Sequence, residues 1–315
     1  MKRRDFLKTT VVSTATASIL PDFLAGAPSD MPKRQLGRTG EKLSMLGFGG
    51  VLVMNEEQKI VDNMVSKAVD HGINYFDVAP SYGNAEDVLG PAFESYRAKC
   101  FLACKTTERS AGGAQKELEQ SLKKLRTDHF DLYQLHAITT AEDVEKAFAP
   151  DGAMETFVKA QKDGLVRYIG FSAHSELAAL MAMERYNFDT ILFPVNFAAW
   201  YQGQFGPRVL TKAKETNKGI LALKGLAHRR YSEGEKKIYP KAWYVPIAEE
   251  DEKLAQKAFS WTYAQGVTAA IPPGQPLFWD RAFRIAASAM EVTDEDINYL
   301  QQVARSISAP IFPET

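Results

Sequence analysis

Asp77, Tyr82, Lys105 and His136 are the residues whose types and spacing could do acid–base chemistry on a carbonyl. Tyrosine is a poor acid at neutral pH, with a reference pKa of about 10. A neighbouring lysine cation favours the phenolate and lowers that value, and a carboxylate beside the lysine keeps it charged and fixed in place. A histidine could then orient the carbonyl oxygen or share in proton transfer. Taken singly, each residue has a plainer reading. Asp77 and Lys105 could be a structural ion pair at a barrel rim, His136 a satisfied core histidine, and Tyr82 a loop anchor.

What joins them is their place in the chain. Four short apolar runs each lead to a polar residue. Ile73-Asn74-Tyr75-Phe76 leads to Asp77, and Phe101-Leu102-Ala103-Cys104 to Lys105. Asp131-Leu132-Tyr133-Gln134-Leu135 leads to His136, and Tyr168-Ile169-Gly170-Phe171 to Ser172. A helical pattern separates successive runs, and Tyr82 follows Asp77 on the loop above the same run. Consecutive parallel barrel strands would put all these groups on the C-terminal face, where barrel enzymes keep their active sites.

The pattern continues along the chain. A hairpin is predicted over 33–43 around Arg38-Thr39-Gly40, then a first strand at 45–49. Apolar spacing at Ile60, Val61, Met64, Val65, Ala68 and Val69 predicts a helix over 56–71, ended by Gly72. Further helices are predicted at 85–96, around Leu118, Leu122 and Leu125, at 142–162, from strand five to about 186, and from strand six to about 217. Strands six, seven and eight fall at 190–195, 219–224 and 267–271. A polar loop spans 226–248, and helices are predicted over 250–265, 278–289 and 293–305. Eight strands alternating with helices in this length predict a closed (β/α)8 TIM barrel with an N-terminal hairpin and an extra C-terminal helix. Gly47-Phe48-Gly49-Gly50 does not fit the glycine spacing of an open dinucleotide-binding sheet.

The 315 residues are 45% hydrophobic with a formal net charge of −1, which describes a globular chain without the basic footprint of a nucleic-acid binder. No apolar run reaches the ~20 residues that span a bilayer, so stable membrane insertion is not expected. Cys100 and Cys104 sit four apart on one predicted strand, about 13 Å between Cα atoms at the usual rise. That is beyond the ~7 Å limit for a disulfide. They read as core thiols, with no companion ligands for a metal.

Residues 1–32 differ from the rest. Lys2-Arg3-Arg4-Asp5-Phe6-Leu7-Lys8 precedes an uncharged stretch from Thr9 to Leu20, then small residues ending in Ala25-Gly26-Ala27. This order describes an export signal, and the paired arginines followed by Phe-Leu-Lys resemble the twin-arginine type, which carries folded proteins. Pro28 directly after Ala27 would obstruct cleavage there. The expectation is an export segment at 1–32, read by the twin-arginine machinery, ahead of a single barrel domain at 33–315. The protein would be periplasmic or otherwise exported, or cytoplasmic if the segment is not used.

The barrel segment resembles the aldo-keto reductase family from about residue 33 to 290. The resemblance rests on Leu36-Gly37-Arg38-Thr39-Gly40, Leu46-Gly47-Phe48-Gly49, Phe76-Asp77-Val78-Ala79, Tyr82-Gly83-Asn84-Ala85-Glu86, Lys105-Thr106, the run from Asp131 to His136, and Ile169-Gly170-Phe171-Ser172. It implies a barrel that binds NADP(H), with NAD(H) also open, and passes hydride between nicotinamide and a carbonyl or alcohol such as an aldehyde, ketone or sugar. Tyr82 would be the acid, Lys105 and Asp77 its tuners, and His136 the residue orienting the substrate. Cofactor contacts would fall at Ser172, Asn196, Lys224, Leu226, Gly274, Arg229 and Arg281, with Arg230 and Arg284 as further phosphate candidates.

The nucleotide half departs from the family pattern. Ser172 is followed by Ala173 rather than asparagine, leaving His174 either to substitute or to start the next helix. Leu192 stands where glutamine is usual, and Ile271-Pro272-Pro273-Gly274 follows strand eight. Trp200 and Tyr201 could stack on a substrate ring or pack beneath the 226–248 loop. Two other functions fit the same residues: a nucleotide-binding regulatory barrel with little turnover, and a cofactor-free lyase or isomerase using Lys105 as a Schiff base.

Overall fold

The computed structural model describes residue 24, residues 30–288 and residues 291–313. Most of the 1–32 segment lies outside these. Eight parallel strands make up the central sheet: β1 (Phe48–Gly49), β2 (Tyr75–Asp77), β3 (Phe101–Thr106), β4 (Phe130–Ile138), β5 (Val166–Ala173), β6 (Thr190–Pro194), β7 (Gly219–Leu223) and β8 (Ala269–Ile271). They neighbour one another in chain order. The sheet closes where Leu46 bridges Ala270, with Gly47 N donating to Ala270 O at 3.0 Å. The predicted eightfold barrel is therefore the observed one.

Side chains alternate along a strand, so register decides which residues share the interior. Gly49 pairs with Asp77, Asp77 with Ala103, Lys105 with Gln134, Gln134 with Gly170, and Ser172 with Leu192. One unbroken inward set thus runs round the barrel. Its lower layers are apolar, built from Tyr75, Phe101, Leu132, Leu192 and Leu221. The hairpin of Lys33–Gln35 and Lys42–Ser44 adds Leu36 and Leu43 to this cluster and plugs the end opposite the mouth. A larger cluster lies between barrel and helices. Helix Gln58–Asp70 buries Val61, Met64, Val65 and Ala68 in it, one stripe at helical spacing. Each large aliphatic group so buried contributes about 1.5–3 kcal/mol.

Three predicted elements are subdivided. The helix expected over 142–162 is two helices, Ala141–Phe148 and Ala153–Lys162. Pro150 cannot continue a helix, Asp151 has φ 60°, and a Cβ on Gly152 would stand 2.5 Å from Ala147 O. The helix after strand six is likewise split into Phe197–Gly203 and Pro207–Glu215, with left-handed Gln204 and Gly206 (φ 118°) between them. The polar loop at 226–248 contains an antiparallel ribbon of Ala227–Arg230 and Tyr244–Pro246. The extra C-terminal helix is Asp294–Ser306, begun by a Thr293–Asp296 capping box.

Candidate active site

The inward set ends at the barrel mouth in polar groups. Asp77 at the tip of β2 and Lys105 near the tip of β3 are both buried and form an ion pair. A buried pair survives only when its remaining polar capacity is satisfied. Here Asp77 also accepts from Tyr75 OH at 3.1 Å and Gln134 Nε2 at 3.2 Å. Lys105 also donates to Val78 O at 3.1 Å, and its Nζ stands 5.1 Å from the centre of the Tyr82 ring. Burial works against the lysine cation, but the Asp77 carboxylate and the Tyr82 hydroxyl outweigh it and hold its pKa above the usual value.

Tyr82 sits half-buried on the turn after β2, with left-handed Gly83 following (φ 57°). The sequence predicts a phenol pKa lowered by Lys105. The structure shows a net rise, because burial exceeds the lysine's pull and Asp77 adds to it. At neutral pH the phenol therefore keeps its proton, the form a proton donor needs.

His136 is placed by a β-bulge. The β4–β5 register shifts between Leu135 and Ile138, and Ala137 is left-handed at φ 53°. A bulge of this kind re-aims a side chain at the end of a strand. Ser172 Oγ accepts from Ala137 N at 2.7 Å, and Arg109 Nη2 donates to His136 O at 2.8 Å. Arg109 is held in turn by Asp143 at 3.2 Å, and Asp143 caps the following helix. The His136 ring meets Tyr82 edge-on, with centres 5.7 Å apart. Burial, then the Lys105 cation, pushes its pKa well below the usual histidine value, so the imidazole is neutral. His174 is pushed down to about 4 by burial and by Lys224.

Asp77, Tyr82 and His136 line one cavity, with Leu192, Leu223, Ile271 and Trp279 as apolar walls and Lys224, Ser172, His174 and Gly274 among its polar and backbone positions. Flat apolar walls beside a cation suit a molecule with both a planar ring and an anionic group, so a nicotinamide dinucleotide fits the lining. Asn196 acts from beneath. It caps helix Phe197–Gly203, and its Nδ2 donates to Lys224 O at 3.0 Å and Ala227 O at 2.8 Å, fixing the turn that presents Lys224. Leu226 is wholly buried under the ribbon.

Other candidates stand apart from the cavity. Arg229 pairs with Glu235 at 2.7 Å, and Arg281 donates to Ala248 O and Ile247 O at 2.7 and 2.8 Å. Arg230 donates to Pro310 O at 2.9 Å, while Arg284 is exposed. Trp200 and Tyr201 pack on Trp261, whose Nε1 donates to Tyr201 OH at 2.9 Å. Sequence reasoning missed Tyr75, Gln134 and Arg109, whereas Trp243 and Tyr244, on the 226–248 loop, do line the cavity. Period-two alternation from Asp77 and Lys105 marks Tyr75 and Gln134 as inward, but no local signal marks Arg109. Among the described residues no cluster of three or more His, Cys, Asp or Glu could hold a metal. Both cysteines are buried free thiols.

A closed parallel barrel with an ion-paired lysine, a protonated tyrosine and a neutral histidine at its C-terminal mouth is equipped for proton transfer to an oxygen. The chain belongs to the aldo/keto reductase family, whose model matches residues 45–305, and it is an oxidoreductase. It is 26% identical over 303 residues to the uncharacterized oxidoreductase YqkF of Bacillus subtilis, covering 86% of this chain and 96% of that one. Over 136 residues it is 33% identical to the methylglyoxal reductase DkgA of Escherichia coli O157:H7, covering 42% and 46% of the two chains. In fold it matches an aldo-keto reductase from Bacillus halodurans with a TM-score of 0.68 at 23% identity, covering 90% of this chain and 99% of that one.

Proposed function

We propose that this protein is a nicotinamide-dependent carbonyl reductase or alcohol dehydrogenase in which Tyr82 gives its proton to the carbonyl oxygen. The observation that carries this is the buried Lys105–Asp77 pair set behind a protonated Tyr82, with neutral His136 facing the same space. When bound, NADP(H) or NAD(H) supplies the hydride. His136 holds the substrate oxygen as a neutral hydrogen-bond partner, and Lys105 stabilises the phenolate once the proton has left. In the oxidative direction the same phenolate would take the alcohol's hydroxyl proton, and the oxidised nucleotide, when bound, would accept the hydride from the alcohol's carbon.

Lys105 is unsuited to Schiff-base chemistry, because a buried, ion-paired ammonium held above its usual pKa offers no free amine. The engaged arginines lend no support to selective binding of a 2′-phosphate, so both nucleotides are candidates. Substrates are small aldehydes, ketones or sugars, and the methylglyoxal reductase relative supports a small reactive carbonyl. The test is consumption of NADPH and NADH with a panel of such carbonyls. No turnover with either nucleotide overturns the reading.

For location, we propose that residues 1–32 direct export by the twin-arginine route and that residues 33–315 form the exported domain. A folded barrel can carry a nucleotide loaded in the cytoplasm, and the ribbon of 227–246 lies over the mouth to retain it. Arg3→Lys/Arg4→Lys should leave the protein in the cytoplasmic fraction, and the native protein should co-purify with dinucleotide by mass spectrometry. Unchanged distribution of the variant, or a protein that purifies empty, defeats the corresponding half.

A further inference from the structure

A neutral imidazole has one proton for two nitrogens, so one nitrogen donates and the other accepts. Which nitrogen holds the proton is set by the hydrogen bond the other one makes. A carbonyl oxygen only accepts, so the His136 nitrogen that meets it has to be the protonated one. Burial and the surrounding cations keep His136 neutral but do not choose between its nitrogens.

One contact can make that choice. Ser81 Oγ stands 3.4 Å from His136 Nδ1. Among the described residues the ring nitrogens have no other hydrogen-bond partner, and neither has Ser81 Oγ. Nε2 is therefore left for a molecule in the cavity that His136 lines. The 3.4 Å separation is long, as hydrogen bonds at a catalytic site often are until substrate tightens them.

Ser81 is delivered by the same turn as Tyr82. Ala79-Pro80-Ser81-Tyr82 is a β-turn closed by Tyr82 N donating to Ala79 O at 3.1 Å, with Pro80 at its second position, where a fixed φ is favoured. The backbone of His136 is held from the other side, by Arg109 on its carbonyl and by Ser172 on the following N–H. Those bonds fix where the ring stands. They leave its tautomer to Ser81. Were Nδ1 to donate to Ser81 Oγ, Nε2 would be a bare acceptor facing the lone pairs of a carbonyl. With the hydroxyl donating to Nδ1, Nε2–H is free to donate.

We propose that Ser81 is a positioning residue that sets the tautomer of His136. Its hydroxyl donates to Nδ1, and the ring proton stays on Nε2, available to the substrate's oxygen. The choice of Nε2 rests on the reductase reading, in which His136 holds that oxygen; the tautomer itself is measured without turnover.

The full chain grown with isotope-labelled histidine reports it at pH 7, because protonated and bare ring nitrogens differ widely in nitrogen chemical shift. The chain has five histidines, and the His136 signals are those missing from His136→Gln. Wild type and Ser81→Thr, which keeps the hydroxyl, should carry the proton on Nε2. Ser81→Ala should show a mixture of both tautomers. Its kcat/KM for the carbonyl reduced best should fall about 3- to 10-fold, the scale of one neutral hydrogen bond, with nucleotide affinity and melting temperature unchanged. A wild-type proton on Nδ1, an unchanged tautomer in Ser81→Ala, or a changed tautomer with unchanged kcat/KM overturns the proposal. So does a Ser81→Thr variant that behaves like Ser81→Ala, or a loss of nucleotide affinity equal to the loss in kcat/KM. If the protein reduces no carbonyl at all, the reductase reading fails, while the nitrogen shifts still decide whether Ser81 sets the tautomer.

Discussion

Tyr82, Lys105 and Asp77 depend on one another, so single substitutions should have separable effects. Tyr82→Phe keeps the ring and removes only the proton donor. Its kcat should fall by at least ~10²-fold with nucleotide affinity retained, measured by steady-state kinetics and fluorescence titration. Near-wild-type turnover would remove Tyr82 as the acid. Lys105→Met leaves the Asp77 carboxylate buried with only Tyr75 and Gln134 as donors. Breaking a buried pair from one side costs about 3–5 kcal/mol. Urea unfolding should show that loss, and adding Asp77→Asn should restore part of it. A double variant less stable than the single one contradicts this account of the pair.

Two elements set the shape of the mouth. The β4 bulge aims His136 and is clamped from outside by Arg109, which also donates to Ala137 O at 3.4 Å. Arg109→Met should let the bulge relax, raising KM for the carbonyl several-fold while nucleotide affinity stays constant. Equal effects on both ligands would mean a general loss of structure. The second element is the segment after β7, which crosses the mouth and fastens to the loop after β1 through Lys241, Glu56 and Leu52 O. Hydrogen bonds to a charged group contribute about 1.5–3 kcal/mol, and 1.4 kcal/mol is tenfold in a constant. Lys241→Met should therefore speed nucleotide release about tenfold or more in stopped-flow fluorescence. An unchanged rate would show that the latch does not govern release.

At the scale of the molecule, the mouth concentrates cations and neutral histidines, and this sets a response to acid. His174, pushed down to about 4 by burial and Lys224, has a depressed folded-state pKa against about 6.5 when unfolded. Between these values the unfolded chain binds the extra proton, so its contribution is full above pH ~6.5 and is lost as pH falls through about 4. At about 1.4 kcal/mol per unit the loss approaches about 3 kcal/mol. His136, shifted in the same direction, adds to it. His174→Gln should flatten the decline in urea midpoint between pH 7 and 4.5, and an unaltered slope would rule His174 out as a source.

The sequence alone determined the barrel and the four catalytic candidates. Both are carried by local periodicity: apolar runs at strand length, helical stripes between them, and polar residues at the run ends. Asp77, Lys105 and Ser172 share the interior because strand alternation is a local property that register only propagates. The splits after Phe148 and Gly203 were also within local reach, through Pro150-Asp151-Gly152 and Gly206-Pro207. Tertiary structure decided what depends on partners distant in sequence. It committed Arg229 to Glu235 and Arg281 to backbone carbonyls, and it turned Trp200 and Tyr201 toward Trp261. It also left Lys224 facing rings rather than a carboxylate, and made burial outweigh Lys105 in setting the charge of Tyr82. A residue's charge state and partners depend on solvent exclusion and on contacts made by chain folding back from far away, and neither is written in its immediate neighbours.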